Sequence, residues 1–160
     1  MTEVTIREAR LEDTDLILGF VKALAIYEKA EHLVLATQDN IRQSLFDSSA
    51  SAKSLICMLG EVPIGFAVYF FNYSTWLGKN GLYLEDLYVA PEQRGHGAGT
   101  AILQYLARLA VDNDCGRFEW SVLDWNTPAI KFYESIGALP QEEWVGYRLD
   151  GERLHSFANR

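Results

Sequence analysis

The chain has 160 residues, of which 49% are hydrophobic and 22% charged, as in a soluble globular protein with one ordinary domain. Its net charge of −8, without clustered Lys and Arg, argues against nucleic acid as a partner and suits a cationic small molecule, although mild acidity also serves solubility alone. Cys57 and Cys115 stand outside any CxxC motif and without a His cluster, which predicts free thiols and no metal. Early charged residues and short apolar runs predict no secretory signal, no membrane span and a cytoplasmic protein.

The first half of the chain predicts a strand, two helices and a hairpin. Apolar residues at helical spacing indicate a helix that ends near Tyr27 and follows residues 12–15, which offer caps for its start. Aromatic and β-branched residues dominate two later segments joined around Gly60 and Glu61, as in a β-hairpin. In chain order the predicted elements are a strand over 4–9, the helix, a second helix over 40–46 that follows Thr37, and strands over 54–59 and 62–73.

The second half predicts alternating strands and helices. A strand over 82–89 carries Glu85 and Asp86 within an apolar run, an unusual place for two acids. A Gly-rich turn and a helix over 99–113 follow. The remaining predictions are a strand over 117–122, a helix over 127–135, short strands over 139–145 and 147–149, and a terminal helix or tail beyond Gly151. No repeat or linker interrupts the sequence, so we expect one α/β domain over 1–160 with a mixed sheet.

The Gly-rich turn between strand and helix is typical of an anion-binding loop. Glycines allow backbone N–H groups to approach a ligand, and the helix N-terminus adds positive potential. A Walker loop would need a lysine before Thr100, and a dinucleotide fingerprint would need GxGxxG after the first strand, whereas this loop has GxGxG past the middle of the chain. The residues therefore exclude a Walker loop and favour a dinucleotide only weakly, whereas the diphosphate of coenzyme A and a turn that binds nothing both stay open.

Several motifs in the same order resemble one family over nearly the whole chain. They are Tyr27-Glu28, Tyr73-Ser74-Thr75-Trp76-x-Gly78-Lys79, the strand 83–89, the pattern Arg94-x-x-Gly97-x-Gly99, Leu123-Asp124-Trp125-Asn126, Phe132-Tyr133 and Gly137-Ala138. Together they resemble the GNAT superfamily of N-acetyltransferases, in its spermidine/spermine (diamine) and thialysine branch. The resemblance implies an α/β (α+β) fold with a mixed, mostly antiparallel sheet, flanked by helices, in which two neighbouring parallel strands splay apart.

The same resemblance implies acetyl-CoA as the acetyl donor. The pantetheine arm would fill the gap between the strands 82–89 and 117–122, against the backbone of Leu87, Tyr88 and Val89. The diphosphate would lie on the turn at Arg94, Gly95, His96, Gly97, Ala98, Gly99 and Thr100. Asn126, Ala129 and Tyr133 would lie beside the coenzyme.

Acetyl transfer to an amine requires a base, because an aliphatic amine with a pKa of about 10 is mostly protonated at neutral pH. Glu85 is the preferred base, directly or through a water, with Asp86 as a second base or an orienting neighbour. The alternative for Glu85 is a charge that is paired within the sheet.

A backbone N–H near Leu87 would stabilise the developing oxyanion. The resemblance gives Tyr133 the role of acid towards the thiolate, although it could also be a core aromatic. Direct transfer is favoured, because neither Ser121 nor Cys115 has an obvious His partner.

For the amine, the resemblance indicates a binding site that includes both acids of the strand. The predicted residues are Tyr27, Glu28, Trp76, Glu85, Asp86, Glu119, Trp120 and Ser121, of which Trp120 could equally belong to the core.

Ser74-Thr75-Trp76 matches the thialysine type, whereas polyamine enzymes carry an acid there and another near their end. A lysine-like or other small primary amine is therefore the preferred acceptor and polyamines are doubtful. A protein amine as acceptor, and an acyl-CoA sensor without catalysis, remain alternatives. The resemblance also implies a homodimer.

Overall fold

A computed structural model describes residues 3–160. The chain divides after Ser121 into two compact units, each described here by itself. Among the described residues, no helix is long and apolar enough to cross a membrane. The prediction of one domain over 1–160 stays a prediction.

The first unit contains a five-stranded mixed sheet in the order β1-β2-β3-β4-β5. The first four strands pair antiparallel, each with its neighbour in the sequence, and β5 pairs parallel with β4. The mixed, mostly antiparallel sheet is therefore confirmed. The strands are β1 (Val4–Glu8), β2 (Lys53–Leu59), β3 (Val62–Ser74), β4 (Lys79–Val89) and β5 (Phe118–Trp120).

Three α-helices accompany this sheet, and their packing forms the core around β2, β3 and β4. Fully buried Ile17 and Phe66 pack together with Tyr88 of β4, and the Phe20 ring stacks on the Phe66 ring at 5.5 Å between centroids. Burial of such side chains contributes about 1.5–3 kcal/mol each. The helices are α1 (Thr14–Tyr27), α2 (Gln38–Phe46) and α3 (Ala98–Asp112), with 3₁₀ turns at Leu11–Asp13, Glu31–Leu33 and Pro91–Gln93.

Local signals explain where these helices begin. Thr37 caps α2, because its side chain accepts a hydrogen bond from the Asn40 backbone N–H at 3.2 Å. Asp13 has a different role from the expected cap of α1. Its carboxylate accepts two hydrogen bonds from the Arg7 guanidinium, at 2.7 and 2.9 Å, and this pairing holds the pKa of Asp13 below its usual range.

The second unit contains α4 (Thr127–Ser135) and α5 (Gly151–Ala158). Both helices agree with the predicted positions. The two short strands predicted over 139–149 are wrong: residues 138–150 are irregular. Apolar residues such as Leu139 and Val145 are 79% and 74% exposed, and no ladder among the described strands provides the backbone partner that a strand requires.

Candidate active site

Glu85 lies at a β-bulge in the middle of β4. Asp86 pairs with Val68 of β3 and Leu84 pairs with Tyr69, so Glu85 has no partner on β3. A bulge of this kind twists the strand and redirects side chains, and bulges are common beside active sites. The Glu85 side chain is exposed, whereas that of Asp86 is half-buried. The two acids that stood out in the sequence therefore mark a real irregularity of the sheet.

The parallel pairing of β4 with β5 ends at the same point. Parallel pairing covers only Leu82–Leu84 of β4, opposite Phe118–Trp120, and β4 continues for five residues, Glu85 to Val89, beyond its last β5 partner. β5 itself is shorter than the predicted strand over 117–122. The segment of Leu87, Tyr88 and Val89 therefore lies beyond the parallel ladder, and the splaying of two strands stays a prediction.

The Gly-rich turn has the geometry of an anion site. Gly95 and Gly97 have positive φ angles of 91° and 76°, which favour glycine. Gly97 is the N-cap residue of α3, and no side chain caps this helix. The first-turn N–H groups of Ala98, Gly99 and Thr100 therefore lack the acceptor that a capping side chain would provide. A Cβ at Gly99 would meet nothing within 4 Å, so packing among the described residues does not explain this glycine. These features fit a diphosphate, and His96 lies exposed in the same turn.

Arg94 connects the turn to the end of α1. Its Nε donates a hydrogen bond to the Val89 carbonyl at 3.1 Å. Its guanidinium carbon lies 5.1 Å from the centroid of the Tyr27 ring, which is a cation–π contact. A residue predicted to bind the donor therefore contacts a residue predicted to bind the acceptor.

Three carboxylates form an acidic region beside this contact. Burial, together with the smaller effects of the negative charges of Glu85 and Glu28, raises the pKa of Asp86 to about 6. Burial also raises the pKa of Glu28, which directly follows Tyr27 at the end of α1. Among residues 3–160, no cation forms an ion pair with Asp86 or Glu85, so the charge that would balance them must come from solvent or a ligand.

The other predicted acceptor residues of the first unit lie on β5, directly after it, or on the connection between β3 and β4. Glu119 pairs with Arg117 at 2.9 Å, so its charge is already balanced, and the hydroxyls of Ser121 and Tyr83 share a hydrogen bond of 2.9 Å. Trp120 is half-buried, with its ring 4.9 Å from that of Phe118, which agrees with a core role. Trp76 is 87% exposed.

Asn126, Ala129 and Tyr133 belong to the second unit. The Asn126 side chain accepts a hydrogen bond from the Ala129 backbone N–H at 3.4 Å and so caps α4. Tyr133 is half-buried on α4, and its ring lies 5.8 Å from that of Phe132. Its proximity to Glu85 stays a prediction.

Gly65 is a residue of the site that the sequence reasoning missed. It pairs with Val89 across β3 and β4, and a Cβ there would lie 2.4 Å from the Tyr88 carbonyl oxygen. Only glycine permits this approach of β3 to the segment beyond the bulge. A glycine within an otherwise apolar strand was the available signal, because it often marks close backbone contact.

A mixed sheet with a bulged strand that leads into a glycine turn and a helix is the arrangement that the resemblance to N-acetyltransferases predicts. The sequence model described as Acetyltransferase (GNAT) family matches residues 20–138, and the chain belongs to this family. It is an acetyltransferase.

Similar proteins agree with this assignment. The thialysine N-epsilon-acetyltransferase of Mus musculus is 35% identical over the full length of both chains. The L-ornithine N5-acetyltransferase of Arabidopsis thaliana is 29% identical over 95% of this chain and 86% of its own length. Among solved structures, an integron cassette protein from the mobile metagenome of V. cholerae covers both chains completely, with a TM-score of 0.81 and 27% identity. Both of these curated relatives are named as N-acetyltransferases.

Proposed function

We propose that this enzyme transfers the acetyl group of acetyl-CoA directly to the primary amine of a small cationic acceptor, preferably a lysine-like one such as thialysine. One observation carries the proposal: Glu28, Glu85 and Asp86 place negative charge together where β4 separates from β5. An ammonium group would relieve their repulsion. The name of the mouse relative supports the thialysine type of acceptor.

The donor would bind along the two features that fit it. The open segment Leu87–Val89 would hold the pantetheine arm, and the turn 94–97 with the start of α3 would hold the diphosphate. Acetyl-CoA supplies an activated thioester when bound. Asn126 and Ala129 stay predicted neighbours of the coenzyme arm.

Two carboxylates can accept the proton of the acceptor ammonium. Glu85, which the sequence favours, is exposed at the bulge and would act directly or through a water. Asp86 is the second candidate, because its pKa of about 6 suits proton transfer near neutral pH. Tyr133 would donate a proton to the departing thiolate, and the backbone N–H near Leu87 would stabilise negative charge on the acetyl oxygen.

The first experiment is to measure thiol release from acetyl-CoA with separate acceptors: thialysine, lysine, ornithine, spermidine, spermine, putrescine and short peptides. Fast turnover with thialysine or lysine alone is the expected result. Turnover only with peptides would favour a protein acceptor, and silence despite tight coenzyme binding would favour a sensor.

A homodimer and a cytoplasmic location stay predictions. The dimer follows only from the resemblance, and light scattering of the purified chain would test it.

A further inference from the structure

We propose that Tyr27 is a positioning residue for the donor: its ring holds the Arg94 guanidinium ready for the diphosphate of coenzyme A. The inference rests on the proposed function for the donor, and it assigns to Tyr27 a role different from the acceptor contact expected from the sequence.

The geometry supports the inference because Arg94 is held at two points. The Nε hydrogen bond of 3.1 Å to the Val89 carbonyl fixes one edge of the guanidinium, and the Tyr27 ring, 5.1 Å away, supports it by a cation–π contact. Val89 lies at the end of β4 and Tyr27 at the end of α1, so two elements of the core hold an exposed side chain.

The remaining donors of Arg94 are available for an anion. An arginine carries five N–H donors in a planar fork that matches phosphate oxygens, and Nε uses one of them. Within the part of the chain that the structure describes, no carboxylate forms an ion pair with Arg94. Arg94 directly precedes the positive-φ glycines and the start of α3, so its fork and the helix amides belong to one anion site.

Holding the side chain before binding lowers the entropy cost of ordering it with the ligand. A cation–π contact that contributes about 0.5–1 kcal/mol at an exposed site changes the affinity about two- to fivefold. The effect should appear in the affinity for coenzyme A alone, without any acceptor present.

The experiment is calorimetric titration of the full chain with coenzyme A, using single and double variants. We expect Tyr27→Leu to weaken binding about two- to fivefold, and Tyr27→Phe, which keeps the ring, to stay within about 1.5-fold of wild type. Arg94→Gln should weaken binding by more than Tyr27→Leu. In the Arg94→Gln background, Tyr27→Leu should have no further effect, because the ring then has no cation to hold.

Two matched controls separate this role from general damage. Tyr73→Leu removes another exposed tyrosine, and Arg108→Gln removes another exposed arginine; both should leave the affinity unchanged. Melting temperatures of every variant identify loss of folding, and Tyr27→Trp, with a stronger cation–π partner, should bind at least as tightly as wild type.

The outcomes separate the two proposals. If wild type does not bind coenzyme A, the proposed function fails and the inference with it. If wild type binds, but Tyr27→Leu equals wild type or its effect simply adds to that of Arg94→Gln, the inference alone is overturned.

Discussion

Asp86 on β4 and Glu28 at the end of α1 are close enough for their carboxylates to repel each other. Burial is the larger cause of the raised pKa of Asp86, about 6, and Glu85 and then Glu28 add to it. The folded chain therefore gathers three acids that the sequence separates by up to 58 positions, counted from Glu28 to Asp86.

The first prediction concerns the pH dependence of turnover. Asp86 must be ionised to bind an ammonium or to accept its proton, so kcat with saturating thialysine should fall as the pH drops through about 6. Glu28→Gln removes one repelling charge and should shift this limb to lower pH, by less than one unit because burial dominates. Persistence of the limb in Asp86→Asn would show that Asp86 is not the titrating group.

The second prediction concerns stability. Because the folded-state pKa of Asp86 lies above its ordinary value of 3.8, the folded chain binds this proton more tightly than the unfolded chain. The stability that binding of this proton contributes is fully present below about pH 4 and is lost as the pH rises through about 6. Asp86→Asn should therefore raise the free energy of unfolding at pH 7.5 by about 1–3 kcal/mol while lowering activity. Denaturant melts at pH 4 and 7.5 test this, and an equal effect at both values would contradict it.

The third prediction concerns the proposed base and acid. Glu85→Gln and Tyr133→Phe should each lower kcat by about 10²–10⁴-fold, because each removes a proton-transfer group. Steady-state kinetics with thialysine measure the effect, and Tyr147→Phe, at a tyrosine that is 97% exposed, serves as the control. Near-normal turnover in both variants would show that the two assignments are wrong.

The fourth prediction concerns Gly65. In Gly65→Ala the new methyl group would meet the Tyr88 carbonyl oxygen at 2.4 Å and the Val89 Cα at 3.1 Å, so the backbone of β4 must shift. We expect a loss of about 1–3 kcal/mol in the free energy of unfolding and weaker binding of coenzyme A.

Gly19→Ala is the matched control. Gly19 lies in the exposed part of α1, where a Cβ meets nothing within 4 Å, so alanine should stabilise the chain by about 0.5–1 kcal/mol. Thermal melts of both variants test the pair, and a Gly65→Ala chain as stable as wild type would refute the tight approach of β3 to β4.

By itself the sequence determined the local structure and the family. Helical spacing in 14–27, the Thr37 cap and the Gly-rich turn act over a few residues, so α1, α2 and the start of α3 were predicted closely. The order of the motifs was enough to predict the family. The strands predicted over 139–149 failed, because β structure depends on a distant partner that local pattern does not reveal.

Only the tertiary structure decided how distant residues act on one another. The bulge at Glu85 depends on the register between β3 and β4, and the contact of Arg94 with Tyr27 depends on the packing of α1 beside the end of β4. The raised pKa of Asp86 likewise requires burial and charges from two elements. Such effects depend on distances and desolvation in the folded state, which residue order alone does not specify.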